Sequence, residues 1–546
     1  MPHTHRSALS SALQSVVGRS APRTLSYRVA DRLQRIVEGR RLPHTDAATL
    51  VRLQGELRLV RDLPGVDPDG ALAANLDLLE ASASELGLEH FAVDWKRRET
   101  VRLAVVCPSL AVLVADLAAR APTTYVEFTD PAGRKRRELA SQVDEADLEH
   151  AQTLRLYELV RPTPEVAPFG SRQGVVVERW YRDEDGALAT TVKNPITTRV
   201  PDAAASHRTV EISTRSLPTF DVFDITTIEE ITFPIDAVWL WVDGADPAWM
   251  QRRDEALRAA GRTPDLSATP ARFREHGELR YSLRSVERFA PWIRHIYLVT
   301  DQQRPEWLVD HPRLTVVDHR DIFTDPDVLP TFNSHAIASQ LHHIEGLADH
   351  YLVFNDDVLL ARPVAPELFF DANGVAKFFL SKATVPAGPV AEDDLPHEAA
   401  RKHARDLVSE RYGHTPTRAF QHTPIPQVRA LQELLESRYP DEFTRTAASP
   451  FRSVRDVETV SWLHHYAGYF ERWTRPAAIR YDYFHIGQRD ALARMERRLR
   501  SGGVDCLCVN DADDGDVDDE ERFQRLRAFL EALVPDPSSF ERPDAS

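Results

Sequence analysis

Asn355, Asp356 and Asp357 end a run of strand formers, Tyr351-Leu352-Val353-Phe354, and are followed at once by Val358-Leu359-Leu360. Ligands of open α/β sheets collect outside the carboxyl ends of the strands. Paired carboxylates at such an end suit a divalent cation shared with substrate phosphates. Taken alone, the triplet reads first as a tight turn, since Asn and Asp side chains bond their own backbone. A second apolar run, Ile235 to Trp241, also delivers acids into a loop, Val242-Asp243-Gly244-Ala245-Asp246-Pro247. Arg280, Arg284 and Arg288 recur at a spacing of four, which lays three cations along one helix face. His464 and His465 fall in an aromatic-rich helix, where packing is the expected role. In the acidic run from Asp511 to Glu520, Gly515 misses the position an EF-hand requires, so a solvated loop is expected.

The acids need a sheet to hold them. Strand patterns at Ile235 to Trp241, Ile296 to Thr300, Leu314 to Val317 and Tyr351 to Phe354 alternate with helical patterns at Ala248 to Ala260, Glu278 to Phe289 and Ala336 to Ile344. That alternation predicts βαβ units and a predominantly parallel sheet. Beyond it, helices are expected over Gln427 to Tyr439 and Val457 to Phe470, and a strand from Cys506 into Asn510. Upstream, Leu33, Ile36 and Val37 give residues 1–100 a helical period. Residues 101–228 carry hairpin signals at Asp130-Pro131-Ala132-Gly133 and Asp183-Glu184-Asp185-Gly186. The expected division is a mainly helical region over 1–100, an α+β accessory domain over 101–228, and a catalytic domain over 229–546.

A chain of 546 residues exceeds one ordinary core, so two or three domains are expected. Its formal net charge of −17 argues against nucleic acid or an anionic membrane as a general partner. Three cysteines make no disulfide framework, and Cys506-Leu507-Cys508 lacks zinc-knuckle spacing, which suits a reducing, cytoplasmic setting. The N-terminus lacks the apolar core of a secretory signal. The most apolar stretch, Leu103 to Ala119, is broken by Pro108 and Asp116 and is too short to span a bilayer, so a soluble protein is expected.

Several segments occur together in a telling order: Trp241 to Pro247; Glu278-Leu279-Arg280-Tyr281-Ser282-Leu283-Arg284-Ser285 with Ala290-Pro291-Trp292-Ile293-Arg294; Leu329-Pro330-Thr331-Phe332-Asn333-Ser334; Phe354-Asn355-Asp356-Asp357-Val358; His422-Thr423-Pro424 through Arg455-Asp456; and Cys508-Val509-Asn510-Asp511. From about Ile235 to Asn510 the chain resembles the Stealth family of sugar-1-phosphate transferases. That family includes bacterial capsular and exopolysaccharide phosphotransferases and the catalytic part of animal GlcNAc-1-phosphotransferase. The expected fold is α/β, with a mainly parallel, nucleotide-sugar-transferase-like (GT-A-like) sheet flanked by helices and an N-terminal α+β accessory region.

The resemblance implies transfer of a hexose-1-phosphate from a nucleotide sugar, a UDP-sugar in the first instance, to a glycan hydroxyl, with release of a nucleoside monophosphate. Such a reaction needs the diphosphate neutralised, the hydroxyl deprotonated and the two held in line. Asp356 and Asp357 are the expected ligands of Mg²⁺ or Mn²⁺, with Asp356 also counted as catalytic and Asn355 as substrate-binding. Arg280, Arg284 and Arg455 are candidates for phosphate oxygens, by the bidentate fork of guanidinium. For Arg455 an ion pair with Asp456 or Glu458 is the equal alternative. Asp243 and Gly244 are expected near the nucleotide. His422 matches the histidine of the family's third block and is the expected general base, with an ordinary pKa near neutrality. His335 departs from the small or polar residue expected after Asn333-Ser334, a departure expected to alter acceptor recognition. Two readings compete: a metal-dependent glycosyltransferase, which releases a nucleoside diphosphate, and a noncatalytic glycan-binding protein. The expected partners are the donor, a glycan or polysaccharide acceptor, and a membrane-associated polysaccharide assembly touched peripherally.

Overall fold

The computed structural model describes residues 48–53, 55–96, 101–261, 277–488, 490–510 and 519–542. They form two units, which divide between residues 224 and 225. Leu33, Ile36 and Val37, like Asp511 and Gly515, lie outside the described residues.

In the first unit the strand His90–Asp94 pairs antiparallel with Val101–Val106, which runs parallel to Val175–Arg182. The helices Pro68–Glu85 and Ala111–Arg120 send Leu76, Leu79, Leu113 and Leu117 into one core with Leu103, Leu154 and Val177. The division expected at residue 100 therefore runs through a single core. Both hairpins form, Tyr125–Thr129 with Lys135–Leu139 and Val175–Arg182 with Leu188–Ala189. Among the described residues no helix is long and apolar enough to cross a membrane.

The second unit is α/β. Its main sheet contains β1 (Ile235–Leu240), β2 (Ile296–Thr300), β3 (Leu314–Asp318) and β4 (His350–Asn355), with α1 (Pro247–Ala259) and α2 (Glu278–Phe289) between β1 and β2. The order is β3-β2-β1-β4, all parallel, and Ile425–Val428 joins β4 antiparallel at the edge. That edge strand takes Gln427 and Val428 from the predicted helix, which begins instead at Arg429. The helix expected over Ala336 to Ile344 is split into the short turns Ser334–Ala338 and Leu341–His343. A small second sheet holds β5 (Val358–Leu360), β6 (Tyr481–His485) and β7 (Cys506–Asn510), with β7 in the middle.

α2 is shared between two neighbours. Ser282 Oγ accepts from Trp239 Nε1 at 3.0 Å and donates to Val358 O at 2.6 Å, and Leu360 N donates to Ser285 Oγ at 3.0 Å. One face thus fastens β1 and β5. The arginine face meets the C-terminal segment: Arg284 forms a two-pronged pair with Glu541 at 2.7 and 2.6 Å, and Arg280 reaches the same carboxylate at 2.9 Å. Arg288 pairs with Asp536 at 2.5 Å. The Arg284 and Glu541 side chains are 7% and 1% exposed, so this pair is sealed from water and from any donor.

Removing one member of a buried pair strands the other, at a cost of about 3–5 kcal/mol. Arg284→Ala should therefore lower unfolding free energy by about 3 kcal/mol, the low end because Arg280 still reaches Glu541. Urea denaturation measures this, and donor KM of the folded protein should be unchanged. A raised donor KM at unchanged stability would return Arg284 to the donor site.

Candidate active site

The pairing of β1 with β4 sets Leu240 beside Asn355, so the two acid-bearing strand ends open on the same side. There a cleft of about 650 Å³ is lined by Trp241, Val242, Asn355, Asp356 and Asp357, by Arg401, His422, Arg452 and Glu458, and by Asn510.

Asp356 does make the turn that its composition suggests, since its Oδ1 accepts from Asp357 N at 3.1 Å. Asp357 is held from the second sheet. Its carbonyl accepts from Val509 N at 2.9 Å and its Oδ2 accepts from Cys508 Sγ at 3.2 Å. Burial first, and then the Asp357 charge, push the Cys508 thiol well above its ordinary range, so it stays an S–H donor. Asp357 Oδ1 is buried and, among the described residues, has no hydrogen-bond partner. A buried carboxylate oxygen left unpaired is costly. The residues fit a hard cation, which favours oxygen donors; Mg²⁺ takes one or two carboxylates and leaves its remaining positions to water and phosphates. Strand pairing adds Asn510, and His485 opposite it, at the same end of the small sheet. No role followed for either from the sequence, where the only signal was Asn510 beside Cys508 in the last motif.

His422 sits between the strand Arg418–Phe420 and the edge strand, open to the cleft, with its ring centroid 5.2 Å from that of Tyr483. Surrounding protein lowers its pKa by desolvation, against the raising effect of Asp357; Arg401 lowers it further and Glu458 opposes. The ring is therefore neutral at pH 7, with a lone pair available.

The cations of the cleft are not those expected. Arg455 is exposed and does not line it; its amide donates to Ser453 Oγ at 3.1 Å and its carbonyl accepts from Arg445 Nε at 3.0 Å. Arg452, three residues earlier, does line it and donates to Ser334 Oγ at 2.6 Å. Arg401, on the helix Pro396–Tyr412, pairs with Glu458 at 3.0 Å. Asp456 organises this wall: its Oδ2 accepts from Asn333 Nδ2 and Ser453 N, both at 2.9 Å, and lies 3.4 Å from His335 Nδ1. That one buried carboxylate joins the Leu329–Ser334 motif to the segment carrying Arg452. Arg280 and Arg284 stand on the C-terminal contact instead. The signal for Arg401 was absent from every motif read in the sequence.

Asp243 and Gly244 do not line the cleft, although Trp241 and Val242 do. Asp243 makes a turn to Ala245 N at 2.8 Å and exchanges two backbone bonds with the Gln303 amide at 3.0 and 2.9 Å. His464 is a core histidine: its Nε2 accepts from Val428 N at 3.0 Å, and burial lowers its pKa to about 3. His465 stacks on Phe378 at 5.4 Å and contributes to the cleft wall.

Four models of the Stealth family match: conserved region 1 over residues 233–261, region 2 over 272–378, region 3 over 421–469 and region 4 over 497–546. Exopolysaccharide phosphotransferase SCO6023 of Streptomyces coelicolor is 36% identical over 92% of this chain and 89% of its own length. SCO2592 of the same organism, also an exopolysaccharide phosphotransferase, is 41% identical over 71% of this chain, but the match spans only 42% of that protein. CpsY of Mycobacterium tuberculosis is 35% identical over 72% and 73% of the two chains. The solved structure of the galactosyltransferase LgtC, in complex with donor and acceptor sugar analogs, has a TM-score of 0.29 at 11% identity, covering 56% of this chain and 98% of that one. The matched family regions and the curated relatives define a phosphotransferase enzyme. The chain belongs to the Stealth family.

If His422 is the base, His422→Gln should lower kcat by about 10²- to 10⁴-fold while donor affinity is kept. Because the neutral ring is required, wild-type kcat should fall as pH drops through a pKa below the ordinary value of about 6.5. The residual activity of the variant should lack that acidic limb. A variant retaining both wild-type kcat and the limb removes His422 from proton transfer.

Proposed function

We propose that the cleft transfers a hexose-1-phosphate from a nucleotide sugar to a hydroxyl of an exopolysaccharide acceptor. The carrying observation is the meeting, in one cleft, of Asp357 Oδ1, unpartnered among the described residues, the His422 ring and two arginines, Arg401 and Arg452. The names of the curated relatives support the same reading.

On this reading Arg452 and Arg401 bind phosphate oxygens, for which a planar guanidinium fork is suited. His422 accepts the acceptor hydroxyl proton on its free ring nitrogen as the new O–P bond forms, and the bond from the sugar-proximal phosphorus to the nucleoside monophosphate breaks. Asp356 and Asp357 would hold Mg²⁺ or Mn²⁺, which when bound supplies Lewis acidity and neutralises diphosphate charge. Cys508 keeps Asp357 oriented, and Asn355 and Asn510 offer amides to substrate hydroxyls at the same strand ends. The apolar wall of Trp241, Trp249 and Phe332 suits a base or sugar ring.

The test is a panel of nucleotide sugars labelled at the sugar-proximal phosphate. Label should enter polymer, with nucleoside monophosphate as the second product. Nucleoside diphosphate release with unlabelled polymer would make this a glycosyltransferase, and glycan binding without turnover would make it a binding protein.

A second outcome tests the metal. Asp357→Asn should abolish most turnover with little loss of stability, because the replacement can still accept from Cys508. Chelator should silence the wild type, and Mg²⁺ or Mn²⁺ should restore it. Full activity in metal-free buffer would remove the cation from the mechanism.

A further inference from the structure

Away from the strand ends, His342 and His343 share the single turn Leu341–His343, and both face Glu436 on the helix Arg429–Arg438. His342 Nε2 lies 2.8 Å, and His343 Nε2 2.9 Å, from the same carboxylate oxygen, Glu436 Oε2. The rings are 4.1 Å apart and inclined at 49°. Among the described residues this is the one group of three or more His, Cys, Asp or Glu side chains whose ligand atoms all lie within 4.8 Å of one another.

The hydrogen bonds leave this arrangement chemically strained. His343 Nδ1 sits 3.0 Å from Ile322 O, and a carbonyl can only accept, so that nitrogen carries the proton. In the neutral ring Nε2 then aims a lone pair at an anionic oxygen. A proton relieves that repulsion, and so does a cation placed among the three atoms. An imidazole whose Nδ1–H is fixed by a backbone carbonyl, presenting Nε2 to a shared point, is the arrangement that orients metal-bound histidines.

We propose that His342, His343 and Glu436 form a binding site for Zn²⁺ or a similar first-row transition metal, tying the turn at Ile322 and the turn Leu341–His343 to the helix Arg429–Arg438. Two imidazoles and one carboxylate are a zinc ligand set, with a fourth position left to water. Zinc bonds of about 2.0–2.1 Å in a tetrahedron hold ligand atoms about 3.3 Å apart. From 2.8 and 2.9 Å the group opens by about half an ångström, within reach of a Glu side chain. His342 is buried, whereas His343 and Glu436 are 23% and 28% exposed, which leaves an entry path. Imidazole nitrogens favour zinc over magnesium, which separates this site from the oxygen donors of the cleft.

The experiment uses untagged full-length chain, stripped with chelator, dialysed against Zn²⁺ in excess Mg²⁺, and assayed for bound zinc. Wild type and Asp357→Asn should each retain one zinc per chain, and His343→Gln with Glu436→Gln should lose it while keeping the wild-type circular dichroism. X-ray absorption of the zinc-loaded wild type should show two imidazole nitrogens and oxygen at about 2.0–2.2 Å. A wild type that holds no zinc, a double variant that keeps it, or a shell of sulfur or of oxygen alone overturns the proposal.

Discussion

Asp236 is the buried charge on which the catalytic unit depends. It sits at the foot of β1, wholly inaccessible, and accepts from Arg294 Nε at 2.8 Å, Arg294 Nη2 at 2.5 Å and Ala348 N at 2.7 Å. Arg294 leads into β2 and Ala348 into β4, so one carboxylate ties together the starts of three parallel strands. A buried carboxylate without its partners would carry a large desolvation cost, which makes this pairing an exacting constraint on register. Four residues along, the same register sets Leu240 against Asn355 and brings the two acid-bearing ends together. A slip of one residue would turn every side chain of a strand to the opposite face.

The sheet supplies only half of the cleft. β7 closes the other side by placing Cys508 against Asp357, and the C-terminal segment is held on α2 by Glu541 between Arg280 and Arg284. Arg280 and Arg284 were read as phosphate ligands, and the structure uses them to hold the C-terminal segment. The reason is burial: paired guanidinium and carboxylate groups, removed from water, have no charge to spare for a ligand.

The main sheet was legible because its strands are apolar runs that stop at Asn and Asp, a pattern in which local composition and tertiary role agree. The Asn355-Asp356-Asp357 end and the His422 segment were legible through motif order. Arg401 and Glu458 were not, because they meet only when the helix Pro396–Tyr412 packs beside a later segment, and no local period records that contact. Arg455 was the phosphate candidate of the third motif, whereas the folded loop turns Arg452 toward Ser334 and leaves Arg455 exposed. The first unit was misdivided at residue 100 because its helices and strands each read well locally while sharing a core that only three-dimensional packing reveals.

In the proposed mechanism, strand register, Asp357 and the Arg401–Arg452 wall make a single donor site. A structure of the chain with Mn²⁺ and a nonreacting nucleotide-sugar analogue tests it most directly. Anomalous density should lie against Asp357 Oδ1, with the diphosphate between the paired acids and Arg452 or Arg401 and with His422 facing the sugar-proximal phosphorus. A donor seated on the Arg280–Arg284 face of α2, or in the cleft with Asp356 and Asp357 free of metal and phosphate, would contradict the account.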